Sequence, residues 1–308
     1  MLPRPAQRRS CSPQTTVKTW IIANPKAGSA GKLDDLHERC GSLSADQIHV
    51  TAGAGEAESA ARRALDEGCE RIVVAGGDGT LNEVINGIAD RAGSCAIALL
   101  PLGTGNDFAR SLGLPATFEE CVDVVCAGKT APVDLVRATC DQVRHFVNIS
   151  AGGFSGLVSD KLTPDVKRSW GPLAYLRGAA EAFSELRAYR TDILLDDLQP
   201  ISLELYNVVV ANGRYVAGGI PIAPEAQIND GQLDIVLIPK LTNAEIALSA
   251  AQILMGKHLA NEAIVFRRAA KVHVESSPGM WFNVDGEMVS DQQMTFEVMP
   301  SALRFVVP

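Results

Sequence analysis

The sequence has no excess of basic residues. Its 28 Lys and Arg are outnumbered by 36 Asp and Glu, which gives a formal net charge of −8 and an isoelectric point near 5.2. A general surface for DNA or RNA needs clustered positive charge. The charge balance therefore argues against a nucleic-acid partner.

The spacings that mark disulfide scaffolds and zinc sites are also missing. The 7 Cys are an odd number in which no two are spaced as C-x-x-C, and the 5 His form no H-E-x-x-H motif. Cysteines scattered in this way indicate reduced thiols, and a zinc site has no support. No apolar run reaches the roughly 18 residues of a membrane span, and the N-terminus lacks the apolar stretch of a signal peptide. We therefore expect a cytoplasmic protein.

The length and composition are those of a globular protein with two domains. The chain has 308 residues, of which 46% are hydrophobic and 21% charged, and a domain takes roughly 100 to 200 residues. Residues 1–16 contain three Arg and no acidic residue and show no periodicity, so they predict a disordered basic tail. A change of pattern near residue 131 divides the rest into domains at 17–133 and 134–308.

Three apolar runs in the first domain each end in a glycine-rich turn. Because the runs are continuous rather than alternating, they predict parallel strands that helices cover on both faces. Leu81, Val84, Ile85 and Ile88 form one apolar stripe, which predicts a helix after the second turn. The strands with their turns are residues 19–23 with 24–28, 71–75 with 76–80, and 96–100 with 101–107.

The second domain has a different pattern. Short runs in which apolar and polar residues alternate predict many strands and therefore a β-sandwich. Two stretches, 173–187 and 243–256, break this pattern and predict helices. The alternating strands are residues 144–149, 193–195, 202–210, 271–275 and 294–298.

The three glycine-rich turns favour a ligand that carries phosphate. Turns at the carboxyl edge of a parallel sheet are where ligands bind, and helix N-termini offer N–H groups to phosphate. One such turn alone would need no function, since tight turns require glycine. The familiar motifs do not fit, because residues 28–32 lack the P-loop spacing and the two G-x-G pairs lack the third glycine of a dinucleotide fingerprint.

Asp78 lies in the middle of the second turn. A lone carboxylate beside phosphates is repelled unless a divalent cation bridges them, so this position predicts a metal ion. A simpler role for Asp78 is that of a helix N-cap, and the two roles are compatible.

Four motifs follow one another along the chain. They are Asn24-Pro25, Gly-Gly-Asp-Gly-Thr-Leu-Asn-Glu-Val-Ile-Asn at 76–86, Pro-Leu-Gly-Thr-Gly-Asn-Asp-Phe-Ala-Arg at 101–110 and Asn-Val-Asp-Gly-Glu at 283–287. In this order they resemble the bacterial diacylglycerol kinase-like lipid kinases, a family that includes sphingosine and ceramide kinases. NAD kinases and phosphofructokinases have a similar second motif, but the third favours the lipid kinases.

The resemblance runs from about residue 18 to residue 307 and implies a fold. The first domain would be a Rossmann-like parallel-sheet nucleotide-binding domain, similar to those of phosphofructokinase and NAD kinase. The second would be a β-sandwich that binds lipid, with the active site in the cleft between the two.

The resemblance also implies ATP as co-substrate and Mg²⁺ as cofactor. The residues that correspond to the family's nucleotide site are Asn24, Pro25, Lys26, Thr51, Gly77, Asp78, Gly79, Thr80, Leu81, Asn82, Glu83 and Thr104.

The fourth motif has two interpretations. On the residues alone, Asp285-Gly286 between apolar runs is a hairpin signal and Glu287 is a solvated strand residue. The resemblance implies that Glu287 is the general base, that Asp285 supports it and that Asp78 organises Mg-ATP.

The segment 227–232 is a second candidate metal site. Asn-Asp-Gly between strands is an ordinary hairpin turn, yet an acid followed by Gly can also hold a hard cation. The resemblance implies a structural Mg²⁺ held by Asp230 and by the backbone carbonyls of Gln227 and Gln232.

The function implied by the resemblance is that of an ATP-dependent kinase acting on a lipid hydroxyl in phospholipid metabolism. Diacylglycerol, which would give phosphatidic acid, is the first expectation. Sphingosine, ceramide and phosphatidylglycerol remain open, because pocket shape decides among them by a few kcal/mol. A nucleotide-binding scaffold without transfer is the alternative from another class, although Asp78 and Glu287 are both present. A homodimer is also left open, since family members often dimerise.

Contact with the inner face of the membrane is expected from basic and aromatic residues ahead of the helix predicted over 173–187. Its apolar positions recur as one stripe, which a bilayer could accept. The alternative is that this stripe packs on the sandwich. The basic and aromatic residues are Lys161, Lys167, Arg168 and Trp170, and the stripe is Leu173, Leu176, Ala180 and Phe183.

Overall fold

A computed structural model describes residues 17–28, 43, 45–154, 186–196, 198–290 and 293–308, without the side chains of Glu287 and Ser290. The predicted tail at 1–16 lies outside the described residues. So do the predicted membrane rim at 161–170 and nearly all of the helix predicted over 173–187.

The first domain is a parallel sheet with helices, as its continuous apolar runs predict. Its strands lie in the order β2, β1, β3, β4, and every neighbouring pair is parallel. Ile21, Ile72 and Ile97 have no exposed surface, because helices cover both faces of the sheet. The elements are β1 (Thr19–Ala23), β2 (Gln47–Val50), α1 (Glu56–Asp66), β3 (Arg71–Gly76), α2 (Asp78–Ile88), β4 (Ala96–Pro101), α3 (Asp107–Ser111) and α4 (Phe118–Ala127).

The second domain consists mainly of antiparallel strands. In its core Phe296 packs edge-on against Phe146 and at a tilt against Phe282, with ring centroids 6.1 and 5.5 Å apart. Burying one such ring stabilises the fold by about 2 to 3 kcal/mol. The elements are β5 (Thr130–Thr139), β6 (Val143–Phe146), β7 (Ile149–Gly153), β8 (Tyr189–Leu195), β9 (Ile201–Ala211), β10 (Leu233–Pro239), α5 (Asn243–Leu254), β11 (Val265–Ala269), β12 (Lys271–Ser277), β13 (Phe282–Val284), β14 (Glu287–Ser290) and β15 (Met294–Val306).

The last strand joins the two domains. The first part of β15 pairs with β12 and β5, and its end pairs with β4 through Arg304 opposite Ala96 and Phe305 opposite Ile97. The chain therefore returns to the first sheet after the sandwich is complete. Within the described residues, no helix combines the length and apolar character needed to cross a bilayer.

A side-chain amide fastens α2 to the second domain. Asn86 Oδ1 accepts a hydrogen bond from the backbone N–H of His145 on β6 at 2.9 Å, and its Nδ2 donates to the carbonyl of the same residue at 2.9 Å. Asn82, one turn earlier, donates to that carbonyl at 3.3 Å. Since α2 begins at the second glycine-rich turn, this contact fixes the turn relative to the strands that follow His145.

Replacing Asn86 by Ala tests this contact. We expect Asn86→Ala to lower the free energy of unfolding by about 1 to 3 kcal/mol, because it leaves the backbone N–H of His145 without its partner and the carbonyl with only the longer bond from Asn82. Urea denaturation measures the loss, with Gln47→Ala at an exposed position of β2 as the control. A loss no larger than that of the control would contradict the role given to Asn86.

Candidate active site

The three glycine-rich turns meet at the carboxyl edge of the parallel sheet. Asn24 of the first turn donates through Nδ2 to Thr80 Oγ1 of the second at 3.2 Å. A Cβ on Gly103 of the third turn would lie only 2.5 Å from Cα of Gly77 in the second. Only residues without side chains allow the turns to approach this closely, so the glycines serve the contact between turns as well as the turns themselves.

Asp78 joins the second turn to the third. Its carboxylate accepts hydrogen bonds from the backbone N–H groups of Asp107 and Phe108, both at 3.1 Å. These N–H groups form the N-terminus of α3, where a negative charge is favoured. The sequence allowed Asp78 to be the N-cap of the helix that follows it, but Gly77 occupies the N-cap position of that helix, α2. Asp78 instead caps the N-terminus of α3.

Asp107 is a candidate site residue that the sequence analysis did not single out. Its Oδ2 accepts a hydrogen bond from the N–H of Gly218 at 3.0 Å, and its Oδ1 is buried without a protein partner. The pKa of Asp107 is raised to about 6, mainly because the carboxyl group is buried. The hydrogen bond from the Gly218 N–H lowers this pKa, and the negative charge of Asp78 raises it. The signal was available, because Asp107 follows a glycine-rich turn and begins α3 as Asp78 begins α2.

The space above these carboxylates is kept open by Gly105. A Cβ at this position would lie 3.1 Å from Asp78 Oδ2 and 3.4 Å from Asp107 Oδ2. Two converging carboxylates, one with an unpartnered oxygen, are the donors that a hard divalent cation prefers. The residues of this cradle therefore fit the Mg²⁺ that the family implies.

Asp285 occupies a hairpin turn and also lies near the candidate site. Both Asp285 and Gly286 have positive φ, as the hairpin interpretation predicts. The Asp285 carboxylate accepts hydrogen bonds from the N–H groups of Val147, Asn148 and Ile149 at 3.2, 3.3 and 2.8 Å. Burial raises the pKa of Asp285 to about 7, although the three hydrogen bonds lower it. The negative charge of Asp78 adds to the rise.

Glu287 begins β14, with its backbone paired to Val284. Its side chain is outside the described part of the chain. Its role as general base, and the support predicted from Asp285, stay predictions.

Other predicted nucleotide residues lie at the same edge. Thr51 is buried, and its N–H and hydroxyl both contact the carbonyl of Ala23, at 2.9 and 3.3 Å. Thr104 Oγ1 lies 2.8 Å from where a Cβ of Gly28 would be. Lys26, which follows Pro25, donates through Nζ to the carbonyl of Ala52 at 2.7 Å.

Three predicted nucleotide residues have other partners. Leu81 packs in the core under α2. Asn82 donates to the carbonyl of His145, and the Glu83 carboxylate accepts the N–H of Ala57 at 3.0 Å in the first turn of α1. A nucleotide role for these three stays a prediction that none of these side-chain contacts supports.

The predicted second metal loop wraps around a buried acid. Asp230 is exposed, and its Oδ1 accepts the N–H of Gln232 at 3.0 Å. Behind the loop, the buried Asp134 carboxylate accepts the N–H groups of Gly231 and Ser301 at 2.7 and 2.6 Å. The described side chains include no group of three or more His, Cys, Asp or Glu able to hold a metal. The binding of Mg²⁺ by Asp230 and the backbone carbonyls of Gln227 and Gln232 stays a prediction.

Comparison with known proteins shows which family the chain belongs to. The model of the diacylglycerol kinase catalytic domain matches residues 18–138. The model of the YegS C-terminal NAD kinase beta sandwich-like domain matches residues 149–307. The chain belongs to the diacylglycerol kinase-like family of lipid kinases. This confirms the resemblance of the four motifs and the prediction of an enzyme of the lipid kinase class.

Relatives match most of the kinase. A Pseudomonas aeruginosa protein named "Probable lipid kinase YegS-like" is 33% identical over 262 residues, which are 85% of this chain and 84% of that protein. The diacylglycerol kinase of Bacillus subtilis is 34% identical over 241 residues, 78% of each chain.

Solved structures confirm the predicted fold class of the kinase. A Bacillus anthracis protein assigned to the diacylglycerol kinases superposes with a TM-score of 0.79 at 26% identity, covering 95% of each chain. An NAD kinase from Archaeoglobus fulgidus, in complex with ATP, superposes with a TM-score of 0.50 at 14% identity over 94% of this chain and 93% of that one. The latter similarity concerns the fold alone.

The close approach of the turns in the kinase can be tested with one methyl group. We expect Gly103→Ala to weaken ATP binding about tenfold or more, because its Cβ would overlap the backbone of Gly77. Gly53→Ala is the matched control, since the nearest atom to its Cβ would be 4.0 Å away. Isothermal titration of both variants with ATP gives the comparison, and equal dissociation constants would show that the turns do not depend on this contact.

Proposed function

We propose that this protein is an ATP-dependent kinase that transfers the γ-phosphoryl group to the hydroxyl of diacylglycerol, giving phosphatidic acid. The observation that supports it most is the meeting of three glycine-rich turns around Asp78 and Asp107, with Asp285 close enough for the charge of Asp78 to affect its pKa. Phosphoryl transfer needs little covalent chemistry from a protein and depends on positioning and charge.

The first domain, assigned to residues 17–133, holds ATP in this proposal. Asn24, Thr80 and Thr104 and the N–H groups of the turns face the phosphates at the carboxyl edge of the sheet. Asp78 and Asp107 would hold Mg²⁺, and the unpartnered Oδ1 of Asp107 supports this choice. A bound Mg²⁺ would supply positive charge that offsets the negative charge of the phosphates.

The second domain, assigned to residues 134–308, supplies the acceptor side. Glu287 takes the proton of the lipid hydroxyl. As it does so, the hydroxyl oxygen of the lipid bonds to the γ-phosphorus, and the bond between that phosphorus and the leaving ADP oxygen breaks. Asp285 positions Glu287, because three backbone N–H groups fix the Asp285 carboxylate and with it the hairpin turn.

The choice of acceptor follows the names of the relatives. Those from Bacillus subtilis and Staphylococcus carnosus are named diacylglycerol kinase, whereas the Pseudomonas aeruginosa relative is named only as a lipid kinase. Diacylglycerol is therefore the first candidate, ahead of sphingosine, ceramide and phosphatidylglycerol.

A panel of these lipids with Mg-ATP, followed by mass spectrometry of the products, tests the proposal. We expect phosphatidic acid from diacylglycerol as the main product. If only another lipid of the panel is phosphorylated, that lipid replaces diacylglycerol as the acceptor. A protein that binds ATP and phosphorylates none of the lipids would overturn the transfer function.

Glu287→Gln tests the general base. Gln keeps the size of the side chain but takes no proton at neutral pH, so we expect kcat to fall by roughly two to four orders of magnitude with ATP affinity nearly unchanged. Steady-state kinetics and ATP titration give both quantities, with Glu262→Gln at an exposed turn as the control. If Glu287→Gln is nearly as fast as wild type, the base must be Asp285 or Asp78.

Asp230→Ala tests the second metal loop. We expect lower activity and an altered Mg²⁺ dependence without weaker ATP binding, because the loop would lose its only charged metal ligand. Activity is measured over a Mg²⁺ titration, with Asp141→Ala at an exposed turn as the control. A wild-type Mg²⁺ titration in Asp230→Ala would refute the site.

A further inference from the structure

A tight turn at 216–220 reaches from the second domain to Asp107. The N–H of Gly218, near its tip, donates to Asp107 Oδ2 at 3.0 Å. Two backbone hydrogen bonds between the first and last residues close the turn, at 2.9 and 2.8 Å. Residues 217–219 all have positive φ, and successive N–H groups in such turns form a concave surface that binds anions. The turn therefore presents a preformed donor to the Asp107 carboxylate.

Asn148 anchors the chain that leads into this turn. Its Nδ2 donates to the carbonyl of Tyr215 at 3.1 Å. Its own carbonyl accepts the N–H groups of Asn212 and Gly213 at 2.9 and 2.8 Å. Because Asn148 is only 8% exposed, water is poorly placed to replace these bonds when one of them is lost. The position of the turn thus depends on a buried amide.

Gly213 makes room for that amide. A Cβ on Gly213 would overlap Asn148 Oδ1, so a larger residue would push the amide away from Tyr215. An exchange of the amide oxygen and nitrogen would place an oxygen against the Tyr215 carbonyl, where no hydrogen bond can form. The side chain therefore fits this space as a donor to Tyr215.

A second anchor of the turn belongs to the first domain. Ser111 Oγ accepts the N–H of Arg214 at 3.1 Å and donates to the carbonyl of Asp107 at 3.3 Å. Ser111 is the last residue of α3, the helix that Asp107 begins. Substitution of Ser111 is therefore an independent way to loosen the same turn.

The backbone of Asn148 also reaches the acceptor side of the candidate site. Its N–H donates to Asp285 Oδ2 at 3.3 Å. Asn148 thus lies between the hairpin that carries Glu287 and the turn that contacts Asp107. A substitution of the Asn148 side chain keeps this N–H group, so its first effect is on the turn.

We propose that Asn148 is a positioning residue for the cation. By anchoring the turn at 216–220, it keeps the Gly218 N–H on Asp107 Oδ2 and leaves the other oxygen, Oδ1, for the metal ion. Loss of a group that orients a metal ligand from behind typically weakens metal binding roughly 10- to 100-fold. This inference rests on the proposed function, which assigns a cation to Asp107.

Mn²⁺ titration of the Asn148→Ala variant tests the proposal. Mn²⁺ prefers the same oxygen ligands as Mg²⁺, and electron paramagnetic resonance follows its binding in the presence of a non-hydrolysable ATP analogue. We expect the Mn²⁺ dissociation constant to rise roughly tenfold or more. The amide of Gly218 should also exchange its hydrogen roughly tenfold faster, because its turn has lost an anchor.

Ser111→Ala repeats the test from the other domain. It removes the acceptor of the Arg214 N–H and leaves Asn148 in place, so the Mn²⁺ dissociation constant should rise again. This variant decides the question if Asn148→Ala does not fold. All proteins in the titration also carry Asp230→Ala, which removes the other predicted cation site.

Thr117→Ala is the matched control for a loss of stability. Thr117 is the N-cap of α4, and its Oγ1 accepts the N–H of Glu120, so this variant loses stability without a change at the turn. Urea denaturation compares the losses of stability, and Mn²⁺ binding by Thr117→Ala should equal that of wild type. If Asn148→Ala and Ser111→Ala bind Mn²⁺ as Thr117→Ala does, the positioning role is overturned.

Activity measurements separate this inference from the proposed function. In a kinase that phosphorylates diacylglycerol, we expect excess Mg²⁺ to restore most of the kcat of Asn148→Ala, because the variant binds the cation more weakly. A low kcat at every Mg²⁺ concentration, together with unchanged Mn²⁺ affinity, would overturn the positioning role. Weaker Mn²⁺ binding by both variants of a protein that phosphorylates no lipid would support the role and contradict only the kinase proposal.

Discussion

The hydrogen bonds from the Asp107 and Phe108 N–H groups to the Asp78 carboxylate are the contact on which the candidate site depends. They attach the turn after β3 to the turn after β4 at the N-terminus of α3. They also direct the Asp107 side chain to the segment at Gly218, which belongs to the second domain. One carboxylate thus fixes two of the three turns and, through Asp107, the edge of the other domain.

The same arrangement gathers negative charge where little water reaches it. Asp107 and Asp285 both have pKa values raised by burial first and by the charge of Asp78 as a smaller cause. A raised pKa means that the folded state disfavours the ionised carboxyl, so the fold loses stability as the pH rises through about 6 and 7. A site that accepts such a cost is typical of one that binds a cation, because the bound charge offsets the repulsion.

The sequence predicted three of the four strands of the first domain with their turns, and part of the alternating strands of the second, because burial on one or two faces determines the pattern of apolar residues. It did not predict β2 at the edge of the first sheet, whose four residues are exposed or half-buried. It did not predict that β15 returns to β4, since an alternating run predicts a strand without its partner. The contact of Asn86 with His145 joins residues 59 positions apart, and hydrogen bonds to backbone atoms leave no pattern in the sequence. Helix α5 was predicted because residues 243–256 break the alternating pattern, but that break gives no sign of which face points outward.

Hydrogen exchange in an Asp78→Asn variant tests the central contact most directly. An amide replaces one acceptor oxygen by a donor that would face an N–H group, so at least one of the two hydrogen bonds has to break. We predict that the Asp107 and Phe108 amides exchange roughly tenfold or more faster, while the amides of β3 and β4 keep their protection. Unchanged protection at Asp107 and Phe108 would contradict the claim that Asp78 holds the second and third turns together.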